Sequence, residues 1–125
     1  MMVRNRNAAQ AFVTKDTSVI REILAPQNSE IVRQSLAEAT LPPGSSTLAH
    51  LHPNTEEIYY ILAGDGLMAI EDERRTVVPG DAIGILAGQR HQICNIGRSD
   101  LVFLCCCVPA YTDADTVFCD SLLAP

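Results

Sequence analysis

The chain has 125 residues, room for one domain with one modest core, and 47% of them are hydrophobic, enough to fill it. Fifteen acids against nine bases give a formal charge of -6, with Lys15 the sole lysine, so no basic surface suits a phosphate backbone or an anionic membrane. No stretch approaches the ~20 apolar residues of a spanning helix, and MMVRNRNAAQAF lacks the apolar centre of a secretory signal, so a cytoplasmic protein without nucleic-acid or membrane partners is expected.

The chain opens with a polar stretch, Met1 to Thr14, that has no hydrophobic period; residues 1–16 read as an arm, mobile or laid on a partner. From Thr17 to Val108 short apolar runs alternate with turn signals, and no window holds a capped helical period. Residues 17–108 are therefore expected to form an all-β domain. Its strands are expected at Val19 to Leu24, Ile31 to Thr40, Thr47 to Leu51, Glu57 to Leu62, Leu67 to Glu71, Arg75 to Val78, Ala82 to Leu86, His91 to Asn95 and Leu101 to Val108. Pro42-Pro43-Gly44, Gly64-Asp65-Gly66 and Pro79-Gly80-Asp81 reverse the chain between them, proline by fixing φ and glycine by accepting positive φ. So many short strands in one small domain imply a sandwich or barrel that closes on itself. Residues 109–125 read as a tail with one short helical turn around Asp113 to Phe118.

Cys94, Cys105, Cys106, Cys107 and Cys119 make an odd count, three of them consecutive, which is a poor disulfide framework. They read as buried thiols acting as small hydrophobes.

The stretch HLHPNTEEIYY carries the chemistry. Residues two apart on a strand share a face, so His50 and His52 point the same way. The run beginning at Glu57 alternates Glu57, Tyr59, Ile61 against Ile58, Tyr60, Leu62, which sets one carboxylate at the entry of one face. The last histidine, His91, opens another strand after the tight turn Ala87 to Arg90. Three nitrogens and one oxygen suit a first-row divalent metal. Glu56 competes with Glu57 for the acidic position; strand parity and the gap to Gly64 favour Glu57.

These residues resemble the two short motifs of the cupin family, small jelly-roll barrels also called double-stranded β-helices. The first motif reads GSSTLAHLHPNTEEIYYILAG, with Gly44, His50, His52, Glu57 and Gly64 in place. The second reads GDAIGILAGQRHQICN, with Gly80, Gly88, His91 and Asn95, and departs from the family at Leu86, where proline is usual. The resemblance implies that His50, His52, Glu57 and His91 bind a divalent ion, Fe, Mn, Ni, Co or Zn, inside the barrel mouth. With neutral imidazoles and an ionised Glu57 the centre keeps a net charge of about +1, which favours a small anionic bidentate substrate.

All three histidines are then ligands, so a proton-transfer group has to come from elsewhere. Tyr59, on the face of Glu57, and Arg33, on the expected Ile31 to Thr40 strand, are the catalytic candidates; Gln34 is a neighbour of the second, while Arg90 and Gln92 point away from His91. Two functions fit: a metal-dependent enzyme with dioxygenase, isomerase or lyase chemistry, or a metal-loaded binding domain without turnover. A redox sensor built on the cysteine run ranks below both. The resemblance to small cupins, which pair through outer sheet faces or exchanged terminal strands, implies a homodimer, and the apolar face Ile58, Tyr60, Leu62 is consistent with it.

Overall fold

The structure, a computed structural model, describes residues 1–123. The last two residues of the expected 109–125 tail lie outside them. In chain order the strands are β1 (Phe12–Val13), β2 (Val19–Leu24), β3 (Ser35–Leu41), β4 (His50–Leu51), β5 (Glu56–Ala63), β6 (Gly66–Ile70), β7 (Glu73–Val77), β8 (Ala82–Ile85), β9 (His91–Asn95), β10 (Leu101–Val108) and β11 (Val117–Phe118). Two single 3-10 turns, Arg6–Ala8 and Asp113–Asp115, are the helical elements among the described residues. No helix there is long and apolar enough to cross a membrane.

All pairings are antiparallel and divide into two sheets. One runs β1-β2-β3-β10-β5-β8 and the other β11-β4-β9-β6-β7, the two-layered arrangement of a double-stranded β-helix. The core lies between the sheets, around Phe103, Leu101, Ile61, Ile85, Ile93, Leu41 and Met68. Alternation produces it directly: on β5 every second residue from Glu57 to Ile61 is buried, and on β10 Leu101, Phe103, Cys105 and Cys107 are buried in turn.

Several expectations need correction. The strand expected from Ile31 begins at Ser35, because side chains hold the preceding residues in a loop. Asn28 accepts from the Ala25 amide at 2.9 Å, Ser29 donates to the Ala25 carbonyl at 2.7 Å, and the Ile31 amide donates to Ser29 Oγ at 3.2 Å. The polar N-terminal segment is tied to the sheet: β1 pairs with β2, and Arg6 forks onto Glu38 at 2.8–3.2 Å. The turn expected near Asp113 is present and leads into β11, which pairs with β4 through Phe118 and His50.

Candidate metal centre

His50 and His91 are directly opposite each other, each the first residue of its strand, β4 and β9. Their rings stand 4.3 Å apart between centroids. His52 follows one residue beyond β4 and turns inward, its ring 5.0 Å from His50 and 5.5 Å from His91. The opposite sheet supplies the acid. On β5 the alternation leaves Glu56 exposed and Glu57 only 5% exposed, facing the histidines. Glu57 Oε1 lies 3.4 Å from both His52 Nε2 and His91 Nε2.

The second nitrogen of each ring fixes its tautomer. Nδ1 of His50 meets the Leu48 carbonyl at 2.7 Å, that of His52 the Asp115 carbonyl at 3.0 Å, and that of His91 the Gln89 carbonyl at 3.0 Å. A carbonyl only accepts, so each Nδ1 carries the hydrogen and each Nε2 turns a lone pair to the centre. One donor atom from each histidine lies within 4.8 Å of the others. Glu57 is held from behind: the Cys107 thiol donates to Oε2 at 3.2 Å across the β10–β5 ladder, where Cys107 and Glu57 are register partners.

These contacts leave an imbalance. Glu57 Oε1 and His91 Nε2 are buried with no hydrogen-bond partner among the described residues, although they face each other. Both are acceptors in the neutral-imidazole state, and two buried lone pairs in apposition are unfavourable without a cation between them. The donor set therefore fits a divalent ion, with neutral imidazole and carboxylate ligands and outer contacts that orient the rings. Electrostatics favour a neutral His50 and an ionised Glu57. Burial pushes the His50 imidazolium down to about 4, with the charge of His91 adding to the effect. Burial opposes ionisation of Glu57, but the nearby His52 and His91 rings outweigh it and hold its carboxyl at about 2. His52 is likewise disfavoured by burial, yet Glu57 and the Asp115 carbonyl raise it overall.

His50, His52 and Glu57 open onto a cavity of about 70 Å³ walled by Phe12, Ala37, Ala39, Tyr59, Phe103 and Cys105. Cys105 and Cys107 face this cavity, while Cys106 is exposed on the outer surface and departs from the buried reading. Of the catalytic candidates, Tyr59 is buried on the cavity wall, stacked against Phe103 at 4.6 Å and edge-on to His91 at 6.0 Å. Burial raises its hydroxyl well above the ordinary value, so it enters the site as a phenol. Arg33 is not brought to the site. It stands exposed in a bend before β3 and is absent from the cavity wall, because the strand that was to carry it starts two residues later.

Three residues at the site escaped sequence reasoning. Asp16 and Tyr111 line the cavity, and Asp115 receives His52 through its backbone while its carboxylate caps Asn54 and Thr55. None lies in a motif, and each arrives through the terminal segments that fold back onto the sheets.

The cupin domain profile matches residues 37–107. This chain is a cupin. The matched segment runs from Ala37 within β3 to Cys107 within β10 and contains all four donor residues. An uncharacterized protein of Methanocaldococcus jannaschii is 50% identical to this cupin over 105 residues, 84% of each chain. The oxalate-binding protein of Thermotoga maritima is 41% identical over 68 residues, 54% of this cupin and 56% of that protein. Among solved structures, a predicted oxalate decarboxylase of Thermotoga maritima superposes with a TM-score of 0.76 at 27% identity, covering 86% of this cupin and 99% of that chain.

Proposed function

We propose that this cupin binds a divalent metal ion through His50, His52, Glu57 and His91 and acts on a small oxygenated metabolite by dioxygenase, isomerase or lyase chemistry. The observation that carries the reading is the pair of buried acceptors, Glu57 Oε1 and His91 Nε2, facing each other without a hydrogen donor. Fe, Mn, Ni, Co and Zn all suit three imidazoles and one carboxylate. When bound, such an ion supplies Lewis acidity toward an oxygen of the ligand. The chain's own residues do the rest. The carbonyls of Leu48, Asp115 and Gln89 aim the rings, Cys107 steadies Glu57, and Phe103, Ala37 and Ala39 keep the cavity wall apolar. Tyr59, edge-on to His91, offers a hydroxyl to the ligand from the cavity wall.

A related protein named for oxalate binding supports a small anionic chelating ligand, and it also keeps a second reading in play, a metal-loaded binding domain without turnover. Metal analysis of the purified protein is expected to give close to one divalent ion per chain. Unchanged content in both His50→Ala and His91→Ala would remove the metal reading. To separate enzyme from binder, protein loaded with Fe, Mn or Ni is incubated with catechols, 2-oxo acids and sugar acids while oxygen uptake and product mass are followed. Turnover of any member establishes the enzyme; tight binding without turnover establishes the binder.

We further propose that this cupin is a cytoplasmic homodimer. The outer face of β5 exposes Ile58 at 51%, Tyr60 at 42% and Leu62 at 42%, beside exposed Cys106 and Val108 of β10, an apolar surface suited to pairing two copies. Five unpaired cysteines suit a reducing compartment, the cytoplasm.

A further inference from the structure

The cavity holds an acid that the four-donor site does not use. Asp16 lies between β1 and β2, outside the segment matched by the cupin profile. Its Oδ1 accepts three hydrogen bonds, from Thr14 Oγ1 at 2.5 Å, the Ser18 amide at 3.0 Å and Ser18 Oγ at 2.5 Å. The turn that carries it is closed by the Thr17 amide donating to the Thr14 carbonyl at 3.0 Å. Thr17 takes a left-handed φ of 76° to do so, uncommon for a β-branched residue. With Oδ1 saturated, Oδ2 takes none of these donors and lies 3.9 Å from His50 Nε2 on the cavity wall.

Charge and size give this placement a meaning. No lysine or arginine lines the cavity among the described residues, whereas Asp16 and Glu22 both do. A carboxylate oxygen of the ligand turned toward Asp16 therefore finds no cation of the chain there and faces another carboxylate instead. A ligand hydroxyl in the same place finds a strong, oriented acceptor. A cavity of about 70 Å³ suits a small ligand, on the order of a two-carbon acid. We propose that Asp16 is the specificity-determining residue of the cavity, accepting a hydrogen bond from the hydroxyl of a small 2-hydroxy acid and disfavouring a dicarboxylate of the same size. The inference rests on the metal reading above, since the ligand's carboxylate is taken to be held by the ion.

Glycolate and oxalate are the probes, two-carbon acids that differ in a hydroxyl against a second carboxylate. Metal content is measured first in wild type, Asp16→Asn and His50→Ala loaded with Zn(II), and each acid is then titrated into loaded wild type and Asp16→Asn by calorimetry. Asp16→Asn is expected to keep its ion at wild-type stoichiometry. It is expected to weaken glycolate and tighten oxalate, moving the ratio of the two Kd values toward oxalate by about tenfold or more. Asp16→Glu, which retains the charge, is expected to keep oxalate weak. An unchanged ratio in Asp16→Asn overturns the proposal, as does binding of neither acid by wild type at millimolar concentration. Loss of the ion from Asp16→Asn overturns it differently, by making Asp16 a ligand. Absence of metal from wild type is the failure of the underlying reading, and it is seen before either acid is added.

Discussion

Replacing Gly64 by alanine places a methyl group where the corner between β5 and β6 touches the start of β10. Gly64 has a φ of 84°, and a Cβ built on it falls 2.5 Å from the Asp100 carbonyl oxygen, 2.9 Å from Leu101 Cα and 3.1 Å from the Asp100 carbonyl carbon. All three are backbone atoms, so no side-chain rotation relieves the clash, and Leu101 behind them is fully buried. Gly44 is the natural control. Its φ is 79°, nearly the same, but a Cβ there meets nothing within 4 Å. The left-handed conformation alone costs alanine roughly 1–2 kcal/mol, partly offset by about 0.4–1 kcal/mol from the stiffer unfolded chain. Gly44→Ala is therefore expected to lose about 1 kcal/mol. Gly64→Ala adds a shift of packed backbone, typically ~1–3 kcal/mol more, for a total of ~2–4 kcal/mol. Urea unfolding in the presence of a chelator, followed by circular dichroism, reads the difference. With a slope of about 1–3 kcal/mol per molar, the Gly64 variant unfolds at a midpoint roughly 0.3–3 M below the Gly44 variant. Equal midpoints would refute the steric argument and reduce both glycines to their φ angles.

Other outcomes follow from the site and the surface. In metal-free protein, His50 binds its proton with a value near 6.5 when unfolded and about 4 when folded, so the unfolded state takes up more protons in that window and stability falls as pH drops through it. A shift of that size corresponds to up to about 3 kcal/mol. His50→Gln is expected to flatten the dependence of the urea midpoint on pH between 6.5 and 4, and an unaltered slope would contradict the assignment. Glu57, with its carboxyl at about 2, contributes stability that is full above the unfolded value of 4.5 and is lost only as pH falls toward 2. Glu57→Gln should remove that lower limb. Thiol alkylation of the native protein, read by peptide mass, should label Cys106 quickly and Cys105 and Cys107 slowly, because the outer and inner faces of β10 alternate. Tyr60→Glu, on the exposed face of β5, is expected to shift the mass measured by light scattering from dimer to monomer without loss of metal.

Much of this architecture is legible in the sequence wherever alternation meets explicit turn chemistry. The bounds of β2, β9 and β10 coincide with their expected ranges, and the choice of Glu57 over Glu56 follows from the period of two on β5. Legibility fails where the backbone finds partners other than a ladder. Thr47 was expected to begin a strand, but its hydroxyl accepts from the Ile93 amide at 3.1 Å and its carbonyl from the Gln92 side chain at 2.9 Å, so regular pairing starts only at His50. Two-residue strands such as β1 and β11 carry no period of their own and exist through what they dock against. Gln92 shows the same effect: its position beside a ligand marks it as pointing away, yet nothing local says that its carbonyl oxygen gathers Ser121 Oγ and the amides of Leu122 and Leu123. Leu86 gives the opposite lesson. The missing proline is made up by Gln89, whose side-chain oxygen accepts from the Leu86 amide at 2.8 Å and closes the turn ahead of His91. Asp16 was the hardest to foresee, since it lies in a segment without pattern and joins the cavity only after β1 and β2 have paired.

The donor atoms are divided between the two sheets, with His50 and His91 on one and Glu57 on the other. A cation held by all of them would be a clasp across the sandwich, and gripping it and closing the sandwich would become a single event. Sliding β5 by one residue against β10 would swing Glu57 outward and break the grip. With an ion bound, the centre would work as a checkpoint on strand registration: a chain whose sheets have mated one step out of line would have no place to hold it.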